Sequence, residues 1–275
     1  MLDRFKGQWA VATGGGDGIG RALCLALADC GINVAVQDIR EPAASAVADE
    51  AQAKGVRTRA IVCDVADAKA ISDAAVAFAQ DMGAPAMLCA NAGVAVGTGL
   101  LTAKPHHIDW IFGVNVLGLL HTLRAFVPLV QKSAAPAKHV CITASSISLA
   151  SPEGPFTIYG ATKHAAMGIG EALRGELAGT DVGVTILCPG LTDTNIWNAG
   201  QARPERLGGP VVRPHAEGER WRNQGLDPQW IAAETIKAIE ENRPYVAPVH
   251  KSSAAAFERR VANIRAGLVL QDDPV

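Results

Sequence analysis

Residues 9–29 read WAVATGGGDGIGRALCLALAD, and this stretch decides the fold. The apolar run Trp9–Thr13 predicts a buried strand, and the Ala and Leu residues at helical spacing over Ile19–Asp29 predict a helix. The glycines between them let the backbone turn sharply and approach a pyrophosphate, whose charge then meets free N–H groups at the helix N-terminus. Such a turn directly after a first strand predicts a dinucleotide-binding site.

Short apolar runs and longer helical patterns alternate along the rest of the chain. Strands made of nearly continuous apolar residues, with helices between them, are typical of a parallel sheet covered on both faces. We therefore expect an α/β fold with a doubly wound, Rossmann-like parallel sheet of about seven strands. The predicted strands are Trp9–Thr13, Asn33–Gln37, Thr58–Cys63, Ala86–Ala90, His139–Ala144, Val182–Cys188 and Tyr245–Ala247, and the predicted helices include Ile19–Asp29, Ala43–Lys54, Ala68–Asp81, His107–Gln131 and Ala161–Ala178.

Composition limits the class of protein. The 275 residues are 49% hydrophobic and 19% charged, which predicts one large globular domain over residues 1–275. The formal charge of −2 comes without a long run of either sign, so we expect neither nucleic acid nor an anionic membrane surface as a partner. The first residues lack the pattern of a signal peptide and no apolar stretch of ~20 residues is uninterrupted, so we expect a cytoplasmic protein without a membrane partner.

Six cysteines are scattered singly along apolar segments, and none belongs to a C-x-x-C pair. This pattern favours small buried hydrophobic residues over metal ligands or disulfides, so we predict no metal site. The six are Cys24, Cys30, Cys63, Cys89, Cys141 and Cys188.

An acidic residue, Asp38, ends the second predicted strand, about twenty residues after the glycine turn. At this position a carboxylate can accept hydrogen bonds from the adenosine ribose hydroxyls, and it repels a 2′-phosphate. Asp17 adds a second negative charge, and Ile39 offers no compensating cation. Arg40 has two interpretations: a partial clamp for a 2′-phosphate or, as we favour, a solvated start to the next helix. The pattern favours NAD over NADP.

Two segments fall outside the regular alternation. Residues 195–229 are rich in Gly, Pro and Arg and carry Trp197 and Trp221, with Trp230 at the edge. Irregular segments of this length inside compact domains are often functional lids, so we predict a substrate lid over about residues 195–229. Apolar residues recur at helical spacing near the end of the chain, which predicts a helical extension over about residues 251–270.

Tyr159 and Lys163 fit the pattern Y-x-x-x-K, and Ser146 lies thirteen positions before the tyrosine. Four residues make about one helical turn, so the two side chains can share one face roughly 6 Å apart along the axis. A fixed ammonium there favours the tyrosinate, and a tyrosine of pKa ~10 needs such a perturbation to act near neutral pH. Together with the T-G-x-x-x-G-x-G turn at residues 13–20, these motifs resemble the short-chain dehydrogenase/reductase family over about residues 5–250.

The resemblance implies four catalytic residues. Tyr159 would exchange a proton with the substrate, and Lys163 would bind the nicotinamide ribose and lower the tyrosine pKa. Ser146 would hold the substrate oxygen, and Asn115 would anchor a proton-relay water. The neighbouring Ser145 and Ser148 are rivals to Ser146, and only the spacing to the tyrosine favours Ser146.

The resemblance also implies a cofactor-binding surface. Asp64 would contact the adenine ring, Asn91–Gly93 matches the family's N-A-G turn, and Thr194, or alternatively Thr192, would contact the nicotinamide carboxamide. The full predicted set is Thr13, Gly14, Asp17, Gly18, Ile19, Gly20, Asp38, Asp64, Val65, Asn91, Ala92, Gly93, Tyr159, Lys163, Pro189, Gly190, Thr192 and Thr194.

The implied activity is NAD-dependent interconversion of a secondary alcohol and its ketone. The long lid and the C-terminal extension favour a bulky, apolar or aromatic substrate. An NADPH-dependent carbonyl reductase and an NAD-binding regulatory protein without turnover are the alternatives, because fold alone does not establish function. The long apolar helices and the resemblance favour a homodimer or homotetramer.

Overall fold

The structure is a computed structural model that describes residues 2–151, 154–212, 219 and 224–269, and its centre is a parallel sheet. Seven strands form this sheet: β1 (Trp9–Thr13), β2 (Asn33–Asp38), β3 (Thr58–Val62), β4 (Met87–Ala90), β5 (Lys138–Thr143), β6 (Val182–Leu187) and β7 (Tyr245–Val246). Their order is β3-β2-β1-β4-β5-β6-β7, and every neighbouring pair is parallel. The predicted doubly wound sheet is confirmed, with each strand end within one residue of its predicted position.

Helices cover both faces of the sheet: α1 (Gly18–Asp29), α2 (Glu41–Gln52), α3 (Ala68–Met82), α4 (Pro105–Phe112), α5 (Leu119–Lys132), α6 (Thr157–Glu176), α7 (Pro228–Glu240) and α8 (Ala254–Ala266). On one face, α1, α2 and α7 bury their apolar sides in a core that contains Leu27 and Ile236. On the other face, α3, α5 and α6 bury a second core that contains Phe78 and Phe126. All six cysteines are free thiols, and five of them are buried in the fold.

The strand order reverses beside β1, which has β2 on one side and β4 on the other. The connections leave these strands in opposite directions, so a crevice opens at their carboxyl ends. Asn91 ties the strands together there. Its amide nitrogen lies 3.2 Å from the Thr13 carbonyl and 3.3 Å from the Gly14 carbonyl, and its amide oxygen accepts the Thr143 hydroxyl at 3.1 Å. The ends of β1, β4 and β5 therefore hold one another in place.

A π-helical segment, Gly113–Gly118, divides the predicted helix His107–Gln131 and joins α4 to α5. Such segments inside α-helices occur frequently at functional sites. The combined run Pro105–Lys132 has 28 residues and a mean hydropathy of 1.4 in its most apolar stretch, so it is long and apolar enough to cross a membrane by length and composition. Half of that stretch is buried against the rest of the fold, so packing accounts for part of its apolar character.

The segment predicted as a lid begins with two 3-10 helices, Asn195–Ala202 and Glu205–Leu207. Trp197 is buried within it, and Trp230 lies on α7 with 43% of its surface exposed. Trp221 and most of residues 213–223 lie outside the described residues. Near the end of the chain, α8 has no buried residue, so it lies on the surface of the fold.

We predict that Gly20→Ala destabilises the fold. A Cβ at Gly20 would lie 2.0 Å from the Gly14 carbonyl oxygen and 2.6 Å from the Asn91 amide nitrogen, so backbone would have to move. The expected loss is about 3 kcal/mol of unfolding free energy, and with it about 6–12 °C in Tm. Gly175→Ala on α6 is the matched control: no atom lies within 4 Å of its added Cβ. That control should stabilise the protein by up to about 1 kcal/mol. Equal Tm values for the two variants would contradict the close packing around the glycine turn.

Candidate active site

A cavity of about 990 Å³ opens over the carboxyl ends of the strands. The loops that follow β1 to β6 line it, together with the 3-10 segment Asn195–Ala202. Every predicted site residue lines this cavity except Thr13, Gly20 and Asn115. The structure thus brings residues from six separate loops to one crevice, at the position where doubly wound sheets bind their ligands.

The glycine turn presents backbone to this cavity at the N-terminus of α1. Gly14 and Gly18 have φ values of 63° and 52°, in the left-handed region that favours glycine. A Cβ on Gly18 would lie 2.8 Å from the Thr194 methyl group, so the approach of the opposite loop also requires glycine. Free N–H groups at the start of a helix attract anions, so the turn fits a pyrophosphate.

Thr13 and Gly20 support the turn from behind. The Thr13 hydroxyl accepts the backbone N–H groups of Asn91 and Ala92, both at 3.1 Å, and its side chain is buried. Gly20 packs directly on the Gly14 carbonyl. Both residues therefore hold the turn in position, and their predicted contact with a cofactor stays a prediction.

Asp38 lies at the end of β2 with both carboxylate oxygens engaged. Oδ2 accepts the Gly16 N–H at 3.1 Å, and Oδ1 accepts the Arg40 backbone N–H at 3.0 Å and Nε at 3.2 Å. An Arg40 Nη1 atom also lies 3.8 Å from Asp17 Oδ2. The arginine is therefore paired with two carboxylates, which compete with any phosphate for its charge.

Asp64 follows β3, where it lines the cavity together with Val65. Its Oδ1 accepts the Ala66 N–H at 2.9 Å, which fixes the carboxylate at the cavity wall. Cys63 also lines this wall, although the sequence analysis did not include it among the site residues. Burial raises the pKa of its thiol to about 11, so it contributes a neutral surface.

Tyr159 and Lys163 lie one turn apart on α6 and meet as their spacing predicts. The Lys163 ammonium lies 5.9 Å from the centre of the tyrosine ring and donates to the Thr143 carbonyl at 2.9 Å. Burial lowers the pKa of Lys163 to about 8. Burial also raises the pKa of Tyr159 to about 12, and a hydrogen bond with the Ser145 side chain acts in the opposite direction. The low-polarity surroundings therefore oppose the charged form of each group.

Ser145, one of the two rivals to the predicted Ser146, is the serine that hydrogen-bonds the tyrosine, and both serines line the cavity. Ser145 is the last extended residue before a 3-10 turn, with φ −169° and ψ 157°, and its side chain reaches Tyr159. Ser146 already belongs to the turn, where its N–H donates to the Pro189 carbonyl at 2.8 Å. Ser148, the other rival, is buried and donates its hydroxyl to the Ser145 carbonyl.

Asn115 holds two chain segments together from inside the π-helical segment. Its side-chain oxygen accepts the Val94 N–H at 2.8 Å, and its amide nitrogen donates to the Val94 carbonyl at 2.9 Å and to the Thr162 hydroxyl at 3.0 Å. A Cβ on Gly93 would lie 3.3 Å from Lys163 Nζ and 3.4 Å from Asn115 Oδ1. The side chain therefore positions the loop beside Lys163, and the predicted anchoring of a proton-relay water by Asn115 stays a prediction.

The loop after β6 carries Pro189, Gly190, Thr192 and Thr194 along the cavity. Thr192 donates its hydroxyl to the Gly190 carbonyl at 2.8 Å, so its proton is used within the loop. Thr194 accepts the Ile196 N–H at 3.4 Å, an arrangement in which its own proton can be donated into the cavity. Asn195 then donates to Asp17 at 3.0 Å and fastens the start of the lid to the glycine turn.

An apolar cluster surrounds the tyrosine end of the cavity. Tyr159 packs against a group of buried residues centred on Trp110 and Ile111, and Ala199 and Leu207 from the segment after β6 pack against the same group. Arg203 lies 5.7 Å from the centre of the Trp110 ring, so a cation–π contact joins this segment to α4. The cavity residues of this cluster that sequence reasoning did not identify are Val94, Trp110, Phe112, Val114, Ala199 and Leu207.

Several known proteins resemble this chain in sequence. It is 36% identical over 225 residues to the 1-deoxy-11-beta-hydroxypentalenate dehydrogenase of Streptomyces avermitilis, covering 81% of this chain and 83% of that protein. It is 27% identical over 276 residues to a C alpha-dehydrogenase from a Sphingobium species, covering 98% and 90%. These relatives are named as dehydrogenases.

Solved structures share the fold over the whole chain. A short-chain dehydrogenase/reductase from Burkholderia phymatum, solved with NAD, is 31% identical and matches with a TM-score of 0.88, covering 100% of both chains. A short-chain dehydrogenase from Burkholderia cenocepacia, solved with NADP, is 26% identical with a TM-score of 0.74, covering 92% of this chain and 100% of that one. The family model described as short chain dehydrogenase matches residues 8–205. The chain therefore belongs to the short-chain dehydrogenase/reductase family and is an oxidoreductase.

Proposed function

We propose that this enzyme interconverts a secondary alcohol and its ketone with NAD as the cofactor. One observation carries the proposal: a single cavity has the glycine turn and Asp38 at its nucleotide side and Ser145, Tyr159 and Lys163 among its other lining residues. A bound nicotinamide ring supplies the acceptor for the hydride of the alcohol carbon. The residues of the chain supply orientation and proton transfer.

The proton of the substrate hydroxyl passes to the Tyr159 phenolate oxygen as the C=O bond forms. The Ser145 hydroxyl, which already hydrogen-bonds the tyrosine, also holds the substrate oxygen. Lys163 lies close enough to stabilise the phenolate, and its remaining N–H groups are available to ribose hydroxyls. Asn115 keeps the loop before it in place. Ketone reduction uses the same contacts in reverse.

The preference for NAD rests on charge at the end of β2. Asp38 has its carboxylate at the place where a ribose 2′-oxygen is expected, and Arg40 is paired with both Asp38 and Asp17. A 2′-phosphate would meet two carboxylates and would compete with them for one arginine. This arrangement disfavours the alternative of an NADPH-dependent carbonyl reductase. A regulatory protein without turnover is disfavoured because nucleotide binding alone does not require Ser145 and Tyr159 together.

A bulky, apolar or aromatic alcohol fits the tyrosine end of the cavity. The residues that pack with Tyr159 there are apolar, and the lid adds Trp197, which is buried and lines the cavity. Apolar walls with few polar groups favour substrates whose hydroxyl is the main polar feature. The relatives named as hydroxypentalenate dehydrogenases are consistent with this substrate class.

We also propose a cytoplasmic homodimer or homotetramer. The exposed apolar residues Leu117 and Leu120 form one side of the long helical run Pro105–Lys132. Burial of such a surface between copies would remove it from water. Light scattering at several protein concentrations measures the oligomeric state.

Tyr159→Phe tests the catalytic assignment. The change keeps the ring and removes the oxygen that exchanges the proton, so kcat should fall by about 10²–10⁴-fold. The Kd for NAD, measured by calorimetry, should change little, because the ring and Lys163 remain. Turnover within about tenfold of the parent would contradict the assignment.

Ser145→Ala and Ser146→Ala separate the two serines. Removal of the Ser145 hydroxyl should lower kcat/KM by about 100-fold or more, since it contacts both the tyrosine and the substrate oxygen. Ser146→Ala should lose less than about tenfold. The reverse order, measured with one alcohol under saturating NAD, would restore the prediction from spacing.

Asp38→Ala combined with Ile39→Arg should change the cofactor preference. The first change removes the carboxylate nearest the expected 2′-phosphate and one of the two ion pairs of Arg40, and the second adds another cation for a 2′-phosphate. The ratio of kcat/KM with NADP to that with NAD should rise by about 100-fold. A parent enzyme that already works better with NADP would refute the interpretation of Asp38.

Trp197→Ala tests the substrate class, with Trp230→Ala as the matched control. Trp197 is buried and lines the cavity, whereas Trp230 is 43% exposed on α7. We expect Trp197→Ala to lose at least about tenfold more kcat/KM on bulky secondary alcohols than on small ones, and the control to lose little on either. Equal losses on large and small alcohols would leave Trp197 as a packing residue.

A further inference from the structure

The C-terminal helix α8 contacts the rest of the protein over a narrow strip. None of its residues is buried, and Phe257 and Ile264 are 40% and 56% exposed. The half-buried residues on its inner side are Ala256, Arg260 and Val261. A small crevice of about 180 Å³ separates this strip from Ser151. Because this strip makes little apolar contact, its polar contact with the rest of the fold strongly affects where the helix lies.

That polar contact is made by Arg260. Its Nη1 donates to the Ser148 carbonyl at 2.9 Å, across a sequence separation of 112 residues. Hydrogen bonds from a guanidinium are stronger than those between neutral groups, and the half-buried position protects this one from water. The acceptor is the last carbonyl of the 3-10 turn Ser146–Ser148.

This turn directly follows the serine that contacts the tyrosine. The Ser148 backbone N–H donates to the Ser145 carbonyl at 2.9 Å, and the Ser148 hydroxyl donates to the same carbonyl. The Ser145 side chain accepts the Ile147 N–H at 3.3 Å and hydrogen-bonds Tyr159. A shift of Ser148 would therefore move Ser145 through hydrogen bonds that link neighbouring residues.

We infer that Arg260 is a positioning residue for Ser145. By holding the Ser148 carbonyl, the guanidinium fixes the turn and keeps the Ser145 hydroxyl against Tyr159 and the substrate oxygen. Arg260 itself does not line the cavity and touches neither reacting group. The effect on turnover rests on the proposed function, whereas the effect on Tyr159 does not require turnover.

The test compares Arg260→Ala with the control Arg265→Ala, which replaces an exposed arginine on the same helix. Arg260→Ala should lower kcat by about tenfold, with the KM for NAD unchanged, because neither Arg260 nor Ser148 lines the cavity. Arg260→Lys should recover part of the loss, since an ammonium can donate to the same carbonyl. The control should match the parent.

A second readout follows the tyrosine directly. The chain has two tyrosines, and Tyr245→Phe leaves Tyr159 as the only one. In this background, with NAD bound, absorbance at the tyrosinate band gives the ionisation midpoint of Tyr159. Loss of the Ser145 hydrogen bond should move the midpoint to higher pH in Arg260→Ala, while Arg265→Ala leaves it in place.

The outcomes separate the two claims. An unchanged midpoint in Arg260→Ala would overturn the positioning role, even if its Tm or kcat falls, because a purely structural contact predicts that combination. A shifted midpoint in Arg260→Ala would support the positioning role. If the parent protein at the same time oxidises no secondary alcohol, the proposed function is refuted.

Discussion

The contact between Lys163 and Tyr159 is the interaction on which the rest of the site depends. Burial raises the pKa of the tyrosine to about 12 and lowers that of the lysine to about 8. Without a bound cofactor, the same low-polarity surroundings therefore disfavour both the phenolate and the ammonium. Proton transfer by the tyrosine near neutral pH needs both charged forms. Each unit of pKa corresponds to about 1.4 kcal/mol and one charged hydrogen bond contributes about 1.5–3 kcal/mol, so one such contact lowers the pKa of the tyrosine by only about one to two units. Under the proposed function, the Ser145 hydroxyl, a positive nicotinamide ring and ribose hydroxyls beside Lys163 would therefore act together.

The fold satisfies this requirement by fixing the backbone around the lysine. The Thr143 carbonyl accepts a hydrogen bond from the Lys163 ammonium, and the Thr143 hydroxyl donates one to Asn91. The same residue therefore contacts both the ammonium and the asparagine that joins the strand ends. Asn115 holds Val94 on the other side of Gly93. The strand ends, the π-helical segment and α6 thus meet around Lys163, whose ammonium form is disfavoured by burial. The free-energy cost of burying this charge explains why so many polar contacts in the structure converge on a few residues.

Much of this could be predicted from the sequence because the relevant patterns are local. The glycine turn, the alternation of strands and helices, and the Tyr159–Lys163 pair each depend on residues within one or two turns of one another. Ser145 could not be selected from spacing, because the path from Ser146 to Tyr159 passes through two 3-10 turns and its length does not fix the direction of a side chain. The supporting hydrogen bonds of Thr13 and Asn115 could not be predicted either. Both act through hydrogen bonds to segments far away in the sequence, which only the folded chain brings together. The contact of Asn195 with Asp17 joins residues 178 positions apart and has no local signature either.

The most direct test of this account is to titrate Tyr159 in the Tyr245→Phe chain, where it is the only tyrosine. Tyrosinate absorbance between about pH 6 and 10 is compared without NAD, with saturating NAD, and with NAD in the additional variant Lys163→Met. The account predicts no titration in this range without NAD, a clear midpoint within it when NAD is bound, and loss of that midpoint when Lys163 is replaced. A midpoint that is the same with and without NAD, or that survives in Lys163→Met, would contradict the claim that the lysine ammonium makes Tyr159 the proton-transfer residue.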